Sequence, residues 1–249
     1  DTVPAQSRAD GVAVSATYSS SVLVFKVGEI TLDARFSRDR YSADSFIEAA
    51  GLAALFTDFD IRAEVAGSRS GRGPQPDRYA HVERTGSKVR AVDVDLSGSV
   101  AESVARPPFG SWGVPPASDA DRTGVIDPMS AFFALSDVVS ERRDHRCEGR
   151  IPVFDGKARY DLRLEDGGHE RVRTRAWRGE AIVCRAFYEP ISGYDPEDYP
   201  SDDALRHPLV IWLAEYPEAG LYMPVRLHTR AGFGGVTIEA TRLDVRAAG

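Results

Sequence analysis

The feature that most constrains this chain is a regular alternation of apolar with polar or small residues, repeated in many short segments. Successive side chains of a β-strand point to opposite faces, so this alternation indicates strands with one buried and one solvated face. In the N-terminal half it runs through residues 12–18, 30–36, 59–65 and two segments within 78–97. In the C-terminal half, strands are predicted over residues 150–165, 169–178, 180–189, 207–215, 222–230 and 234–246. Turn residues between the segments favour antiparallel pairing.

Two helices are predicted within this pattern. The first covers residues 45–56, SFIEAAGLAALF, although Gly51 lies inside it. The second covers residues 127–139, with Asp127 as N-cap and Pro128 at the first helical position. Its apolar face is formed by Met129, Phe132, Phe133 and Leu135.

The predicted fold class is all-β: a long antiparallel meander, curled into a barrel-like or spiral wrap, with one or two short helices. Curling is expected because closure removes the exposed strand edges of such a meander. We predict a single β domain over residues 1–249. Its parts are an N-terminal β half at 10–98, a Pro/Gly-rich connection at 105–124, the helix at 127–139 and a C-terminal β half at 146–246. The connection is expected to run over the surface, and the helix to pack on the sheet or plug one end.

Charge and hydropathy argue against two classes of protein: nucleic-acid-binding proteins and proteins with transmembrane helices. The net charge of −7 argues against binding nucleic acid, which depends on excess positive charge. The longest apolar runs, such as GLAALF and PLVIWLA, are far shorter than a transmembrane helix requires. The chain begins DTVPAQSRAD, a small, polar lead-in that fits a mature exported protein after removal of its signal peptide.

The only cysteines are Cys147 and Cys184. An even pair fits one disulfide in an oxidising compartment. The alternatives are a redox pair, a metal pair or a catalytic thiol. A redox pair is expected as C-x-x-C, and a metal site needs further spaced ligands beyond His145 nearby. We therefore favour a structural disulfide between Cys147 and Cys184.

No motif for catalysis or metal binding is complete. The sequence has no G-x-S-x-G, no phosphate-binding loop and no H-E-x-x-H. DVDLSG at 93–98 begins like a calcium loop, but its twelfth position is Val104 where a glutamate is required. Asp93 and Asp95 are therefore interpreted as the wet face of a strand. The acidic loop at 195–203 could hold calcium, and a solvated loop is the simpler interpretation. We expect no metal and no cofactor.

Histidine and arginine patterns have structural explanations. None of the five histidines has a spaced partner that indicates catalysis; these are His81, His145, His169, His207 and His228. The arginines at 171, 173 and 175 could grip an anion. Asp161 and Glu165, however, are predicted on the outward face of the neighbouring strand, next to Arg159 and Arg163, which indicates a cross-strand ladder of opposite charges.

The stretch RCEGRIPVFDGKARYDLRL at 146–164 is interpreted as a structural hairpin. Its turn carries Asp155 and Gly156, a pair that accepts positive φ at low cost. Tyr160, Leu162 and Leu164 are expected to face the core.

Several segments in a fixed order carry a resemblance to a known family. They are DPMSAFFAL at 127–135, RCEGRIPVFDGKARYDLRL at 146–164, GEAIVCRAFYEPISGY at 179–194, VIWLAE at 210–215, MPVRL at 223–227 and GGVTIEATRL at 234–243. The chain resembles the alphaproteobacterial branch of a cell-envelope family, the domain of unknown function numbered three-one-zero-eight, most closely over residues 127–243. The specific features are the VFDG hairpin and the paired cysteines.

The resemblance implies an exported, periplasmic, all-β protein with a barrel-like or spiral fold, and it implies no reaction. We therefore expect a non-catalytic protein that supports envelope integrity by binding a partner protein or an apolar, lipid-like ligand. It is not expected to be transmembrane, and its oligomeric state is open. The alternative is a hydrolase acting on an envelope polymer through surface carboxylates such as Asp93, Asp95 or the 195–203 cluster. Such a hydrolase needs two carboxylates about 5–10 Å apart in a cleft.

Overall fold

The computed structural model describes residues 11–51, 53–55, 57–70, 73–231 and 234–248. The lead-in at 1–10, on which the expectation of export partly depends, lies outside the described residues. No helix in the described ranges is long and apolar enough to cross a bilayer.

The described residues form thirteen strands, two α-helices and one 3-10 turn. The N-terminal half contains β1 Gly11–Val22, β2 Phe25–Ser37, β3 Arg40–Ala49, the 3-10 turn Ala53–Leu55, β4 Phe59–Ser70, β5 Gly73–Thr85, β6 Lys88–Asp95 and β7 Glu102–Arg106. Then follow α1 Pro128–Ser140, β8 Gly149–Phe154, β9 Arg159–Arg173, β10 Arg178–Ser192, α2 Asp202–Arg206, β11 Leu209–Tyr216, β12 Leu221–Ala231 and β13 Gly234–Ala248.

All these strands belong to one antiparallel sheet with the order β7-β6-β5-β4-β3-β2-β1-β13-β12-β11-β10-β9-β8. Each half of the chain is a meander, and the two halves join where β1 pairs with β13 over the full length of β1. The predicted all-β, curled antiparallel fold with short helices is confirmed. The sheet is wrapped but not closed, because the edge strands β7 and β8 are not paired with each other.

The predicted helix at 45–56 is wrong. Residues 40–49 form β3, which pairs with β2 and β4, and helical geometry is limited to the 3-10 turn Ala53–Leu55. Leu52 and Phe56 lie outside the described residues. Gly51 has a φ of +61°, and a Cβ there would lie 2.3 Å from the carbonyl oxygen of Lys26. This position therefore ends β3 in a conformation that favours glycine.

The strand boundary predicted between 165 and 169 is also wrong. The DGGH segment lies inside the continuous strand β9, and His169 pairs with Ile182 of β10. The β9–β10 register shifts next to this pair, so the two glycines mark a bulge rather than a turn. Gly168 supplies the positive φ of +77°.

Helix α1 lies inside the wrapped sheet, where it packs against β4, β5, β8 and β12. The predicted N-cap is present: the Asp127 carboxylate accepts hydrogen bonds from the backbone N–H groups of Met129 and Ser130, both at 2.9 Å. The predicted apolar face is buried at Met129, Phe133 and Leu135, whereas Phe132 is half-buried. Residues on other faces of the helix are buried as well, among them Ser130, Ser136 and Val139.

The connection between β7 and α1 holds the two sheet edges together. Beside β7, the Ala101 N–H donates to the carbonyl of Arg122 at 3.0 Å. Beside β8, the Phe154 N–H donates to the carbonyl of Ile126 at 2.9 Å. The Pro/Gly-rich segment, whose first two predicted residues belong to β7, is thus a strap across the gap in the sheet.

The wrapped sheet has two different ends. At one end, called the closed end, the C-terminal part of α1 is anchored: Arg69 of β4 pairs with Asp137 at 2.6 Å, and the Tyr222 N–H of β12 donates to Ser136 Oγ at 2.9 Å. The opposite end, called the open end, carries the strand connections at residues 22–25, 85–88 and 154–159.

Candidate functional site

Burial along the inner face of the sheet changes between the two ends. Toward the closed end, inward-facing residues are buried beneath α1, including Val14, Leu32, Ala43 and Val65. Toward the open end, the next inward-facing residues of β2, β3 and β4 are only half-buried, whereas Ala16 and Tyr18 of β1 remain buried. The inner face is therefore accessible to solvent from the open end.

An apolar wall lines this accessible part of the inner face. Ile30 of β2, Ile47 of β3 and Ile61 of β4 are direct cross-strand partners, so their side chains lie in one row across three strands. Ile238 of β13 lies opposite Ser20 on the same inner face. Isoleucine at these positions follows the alternation of each strand, but these side chains are left half-buried.

The same row continues into charged residues. Glu83 of β5 lies opposite Ile61, and Arg90 of β6 lies opposite Glu83. The Arg90 guanidinium is 3.3 Å from the Glu83 carboxylate and 4.9 Å from the ring centroid of Phe109, which comes from the strap. The buried Nε of Arg90 has no hydrogen-bond partner in the described part of the chain. An amphipathic surface results, apolar on β2–β4 and polar on β5–β6.

His81 lies one row deeper, opposite Ala63 and Val92. Its buried Nδ1 has no hydrogen-bond partner among the described residues. Burial lowers the pKa of His81, and the negative charges of Asp155 and Glu83 oppose this effect. The imidazole is therefore neutral near pH 7, and its buried Nδ1 is left without a hydrogen bond from the described residues.

Asp155 reaches the interior through the predicted hairpin turn between β8 and β9. Its carboxylate accepts hydrogen bonds from the N–H groups of Lys157 at 2.9 Å and Ala158 at 2.7 Å. Burial raises the pKa of Asp155, while these two donors and the charges of His81 and Lys157 oppose the increase. Asp155 is therefore more than a turn residue: it is also a half-buried acid whose charge acts on His81, which the sequence did not indicate.

Gly156 fits the tip of this hairpin against the opposite edge of the sheet. It has a φ of +105°, and a Cβ there would lie 2.6 Å from Val92 Cγ1. Its carbonyl accepts a hydrogen bond of 2.6 Å from Ser103 Oγ on β7. The tip therefore bridges the gap between β8 and β7 and also places Asp155 in the interior.

Three tyrosines of the C-terminal half, Tyr160, Tyr188 and Tyr194, lie within electrostatic range of Asp155. The rings of Tyr160 and Tyr188 are 4.5 Å apart, and the hydroxyls of Tyr188 and Tyr194 are 2.5 Å apart. Burial raises the pKa of Tyr188 to about 12, an increase that the hydrogen bond to Tyr194 opposes. These hydroxyls stay protonated near neutral pH and act as hydrogen-bonding groups.

The cysteines form a disulfide away from this accessible surface. Cys147 and Cys184 are joined, with Cα atoms 5.3 Å apart, and both residues are fully buried. The bond ties the lead-in of β8 to β10, across β9. It belongs to the packed core around the C-terminal part of α1.

The carboxylates considered for a hydrolase are engaged elsewhere. Asp93 pairs with Arg78 at 2.7 Å and Arg106 at 3.0 Å on the outer face. Asp95 accepts hydrogen bonds from Ser97. In the acidic loop, Asp195 pairs with Lys157 at 2.7 Å. The described ranges contain no group of three or more His, Cys, Asp or Glu placed to hold a metal ion.

The arginine-rich hairpin has its charged groups paired. Arg150 and Arg159 both contact Asp161 at 2.6 Å, and Arg163 contacts Glu189 at 2.7 Å. Glu165 also pairs with Arg163. These contacts form a ladder of opposite charges on the outer face of β8–β10. Arg171 and Arg173 lie on the same strand, β9, as Asp161 and Glu165, so the predicted pairing of these residues across two neighbouring strands is wrong.

Comparison with known proteins places this architecture in a family. The family described as "Protein of unknown function (DUF3108)" matches residues 15–241, which includes nearly all of the sheet and α1. The chain belongs to the DUF3108 family. A search of curated proteins finds no match.

A solved structure shares the fold of this DUF3108 chain. It is described as "Crystal Structure of Beta-barrel-like Protein of Domain of Unknown Function DUF1849 from Brucella abortus". The TM-score is 0.57 at 10% sequence identity, and the match covers 95% of this chain and 99% of that chain. At this identity, the similarity concerns the fold alone.

Proposed function

We propose that this DUF3108 chain is a non-catalytic protein of the cell envelope, exported to the periplasm, that binds an apolar or lipid-like ligand at the open end of its wrapped sheet. The observation that carries the proposal is the row of half-buried isoleucines on the inner face: Ile30, Ile47 and Ile61. Burying an isoleucine side chain fully is worth about 1.5–3 kcal/mol, so a ligand that covers this row gains affinity.

The charged end of the same row favours a ligand with a polar group. Arg90 and His81 each offer a buried nitrogen without a partner in the described chain, and Glu83 lies between Arg90 and the apolar wall. A buried polar atom without a hydrogen bond is costly. A ligand whose chain covers the isoleucines and whose polar group reaches these nitrogens complements both parts of the surface.

Export is supported by the disulfide. Structural disulfides persist in oxidising compartments such as the periplasm and are rare in the cytosol. The Cys147–Cys184 bond is fully buried. It therefore fits a protein that folds after leaving the cytoplasm, in agreement with the envelope role that the family resemblance implies.

Ligand binding is tested by native mass spectrometry of the purified chain after incubation with envelope lipids, followed by displacement of a fluorescent fatty-acid analogue. We expect a bound lipid species, and Ile47→Gln should weaken binding by roughly tenfold or more. Val82→Gln is the matched control, because Val82 is half-buried on the outer face of β5, next to Glu83. Absence of any adduct, or an equal loss in both variants, would contradict the proposal.

A partner protein is the second candidate, and exposed apolar side chains near the strap favour it. Within the strap, Trp112 and Val114 are exposed, and so are Ile191 and Tyr199 of the facing segment. The two segments are joined where the Val114 N–H donates to the carbonyl of Tyr194 at 2.8 Å. A pull-down from periplasmic extract tests this candidate: a specific partner whose capture Trp112→Ser abolishes would support it.

A further inference from the structure

The connection between β1 and β2 exposes three consecutive large apolar residues. Leu23, Val24 and Phe25 are 73%, 87% and 53% exposed. They form the tip of a tight hairpin at the open end, because Val22 pairs with Phe25. Single exposed apolar residues are ordinary on protein surfaces, but an uninterrupted apolar tip is the mark of an interaction site.

The backbone makes the apolar tip more unusual. Leu23 has a φ of +53°, a left-handed conformation that normally favours glycine or asparagine in a hairpin turn. Leucine at this position is thus disfavoured both by its exposure and by its backbone conformation. An interaction that uses the side chain explains why leucine stands there.

A second apolar segment lies against the base of the tip. The Ala50 N–H donates to the carbonyl of Val27 at 3.1 Å, and Gly51 approaches the carbonyl of Lys26 closely. The 3-10 turn that follows packs against β2 and ends at Leu55, which is 74% exposed. The rim of the open end therefore presents apolar side chains from two connections.

Cationic and titratable side chains adjoin this tip. Leu23 lines a recess of about 600 Å³ together with Arg230, His207 and His228. Arg230 is exposed, and the imidazole of His228 is fixed by a 2.9 Å hydrogen bond to Thr237 Oγ1. Asp203 also lines the recess, but its backbone carbonyl and carboxylate both face His207, at 2.8 Å and 3.4 Å. Lys26 follows the tip directly and pairs with Glu29.

We infer that the β1–β2 tip docks this protein on a phospholipid bilayer, with Leu23, Val24 and Phe25 entering the interface and Arg230 meeting lipid phosphate. A convex tip of three apolar residues with cations at its base matches the layered chemistry of a bilayer surface, apolar inside and phosphate outside. The tip by itself is too small for a stable protein–protein interface, which buries about 1,200–2,000 Å².

The inference rests on the proposed function, because membrane docking would serve the uptake or release of a lipid-like ligand at the open end. The tip and the isoleucine row lie toward the same end of the wrapped sheet, since Ile47 is near the end of β3 and Ile61 near the start of β4, at the open end, and Ile30 pairs with Ile47. Docking would therefore turn the open end toward the membrane. A lipid-like ligand could then pass between the bilayer and the inner face without crossing water.

Co-sedimentation with sucrose-loaded phosphatidylcholine vesicles tests docking on the full chain. Zwitterionic vesicles limit the repulsion expected from the net charge of −7. We expect the native chain to sediment with the vesicles and Val24→Ser/Phe25→Ser to bind roughly tenfold or more weakly. Arg230→Gln should also weaken vesicle binding, and the loss should be larger at low salt than at high salt, because salt screens the attraction between the guanidinium and lipid phosphate. Val104→Ser is the matched control, because Val104 is 49% exposed on the edge strand β7, and it should bind as the native chain does.

The outcomes separate this inference from the proposed function. No vesicle binding by the native chain, or equal binding by the double variant, would overturn docking. A native dimer that the double variant dissociates, without any vesicle binding, would assign the tip to a second copy and overturn docking as well. Fatty-acid displacement is measured on the native chain as well: a native chain that binds fatty acid but no vesicles refutes the inference alone, and a native chain that binds vesicles but no fatty acid refutes the proposed function alone.

Discussion

At the scale of single residues, the disulfide and the pair of His81 and Asp155 occupy different parts of the interior. The Cys147–Cys184 bond lies in the packed core around α1, whereas His81 and Asp155 are half-buried residues. Their contributions to stability differ in kind: the disulfide restricts the unfolded chain, and the titratable pair makes stability depend on pH. Each gives a measurable expectation.

Replacing both cysteines, Cys147→Ser/Cys184→Ser, should lower the free energy of unfolding by about 2–4 kcal/mol, because the bond closes a loop with a sequence separation of 37. Urea denaturation of the variant and of the oxidised native chain measures the difference. Thiol titration of the unfolded native chain without reductant is the control and should detect no reactive thiol. Two reactive thiols would contradict both the bond and the argument for export.

His81→Gln should reduce the loss of stability on acidification. The pKa of His81 is lowered in the folded state, so the unfolded chain takes up a proton first as the pH falls below about 6.5. His81 therefore stabilises the fold above that pH relative to below it. Asp155 has the opposite effect. Its pKa is raised in the folded state, so its contribution to the free energy of unfolding decreases as the pH rises.

Urea denaturation of the native chain and of His81→Gln at about pH 7.5 and about pH 5 tests this expectation. The native chain should lose more of its free energy of unfolding between the two values than the variant does. Identical losses would mean that His81 does not titrate differently in the folded and unfolded states.

At the scale of elements, α1 decides which part of the inner face remains accessible. A polar network anchors its first turn: the Tyr41 hydroxyl and Ser130 Oγ are 2.6 Å apart, and Ser130 Oγ contacts the Asp127 carboxylate at 2.5 Å. Burial raises the pKa of Asp127, and the hydrogen bonds from Ser130 and Met129 oppose this effect. The helix is thus fixed at both ends, with Asp137 anchoring its last turns.

Phe133→Ala should destabilise the fold by about 3–5 kcal/mol, because it opens a cavity between α1 and the sheet. The Phe133 ring packs edge-to-face on Phe36 at 5.1 Å and on Tyr41 at 6.2 Å. Phe132→Ala on the same helix is the matched control, since Phe132 is half-buried and should cost less. Equal costs for the two variants in thermal or urea unfolding would contradict the position assigned to α1.

The strands and α1 were predictable because their signals are local. Alternation marks a strand with one buried face, and Asp127-Pro128 marks a helix start. The helix predicted at 45–56 failed because β3 is determined by its neighbours: Ile47 faces Ile30 and Ile61, and this pairing outweighs the helical preference of alanine and leucine. The strand boundary predicted between 165 and 169 failed because glycine is typical of β-bulges as well as of turns, and Gly167 and Gly168 lie at a bulge.

The candidate site could not be predicted from local signals. The isoleucine row and the half-buried position of Asp155 depend on where α1 docks and on how the strap joins β7 to β8. These are contacts between residues far apart in the chain. The resemblance to the DUF3108 family indicated the hairpin and the paired cysteines. It did not indicate which residues line the accessible part of the inner face.

At the scale of the whole molecule, the pairing of β1 with β13 joins the two halves of the chain into one sheet. The largest hydrophobic cluster also combines both halves, for example Val14 and Val92 with Phe154 and Met223. We therefore propose that the chain is one cooperative domain. Independent halves would require separate cores, and this cluster is shared.

One domain predicts a single unfolding transition, with the same midpoint by far-ultraviolet circular dichroism and by tryptophan fluorescence. Trp112 reports on the strap, and Trp177 and Trp212 report on the C-terminal half. Calorimetric and van't Hoff enthalpies should agree. Two transitions, with the fluorescence change confined to one of them, would show that the halves unfold separately.

The most direct measurement of ligand binding at the open end is photo-crosslinking with a diazirine-bearing fatty acid, followed by peptide mapping. Residues on the inner face of β2, β3 and β4 should be labelled, with Ile30, Ile47 and Ile61 foremost, and unlabelled fatty acid should compete. Labelling confined to outer-face residues such as Phe46 and Val82, or labelling without competition, would contradict a ligand site inside the wrapped sheet.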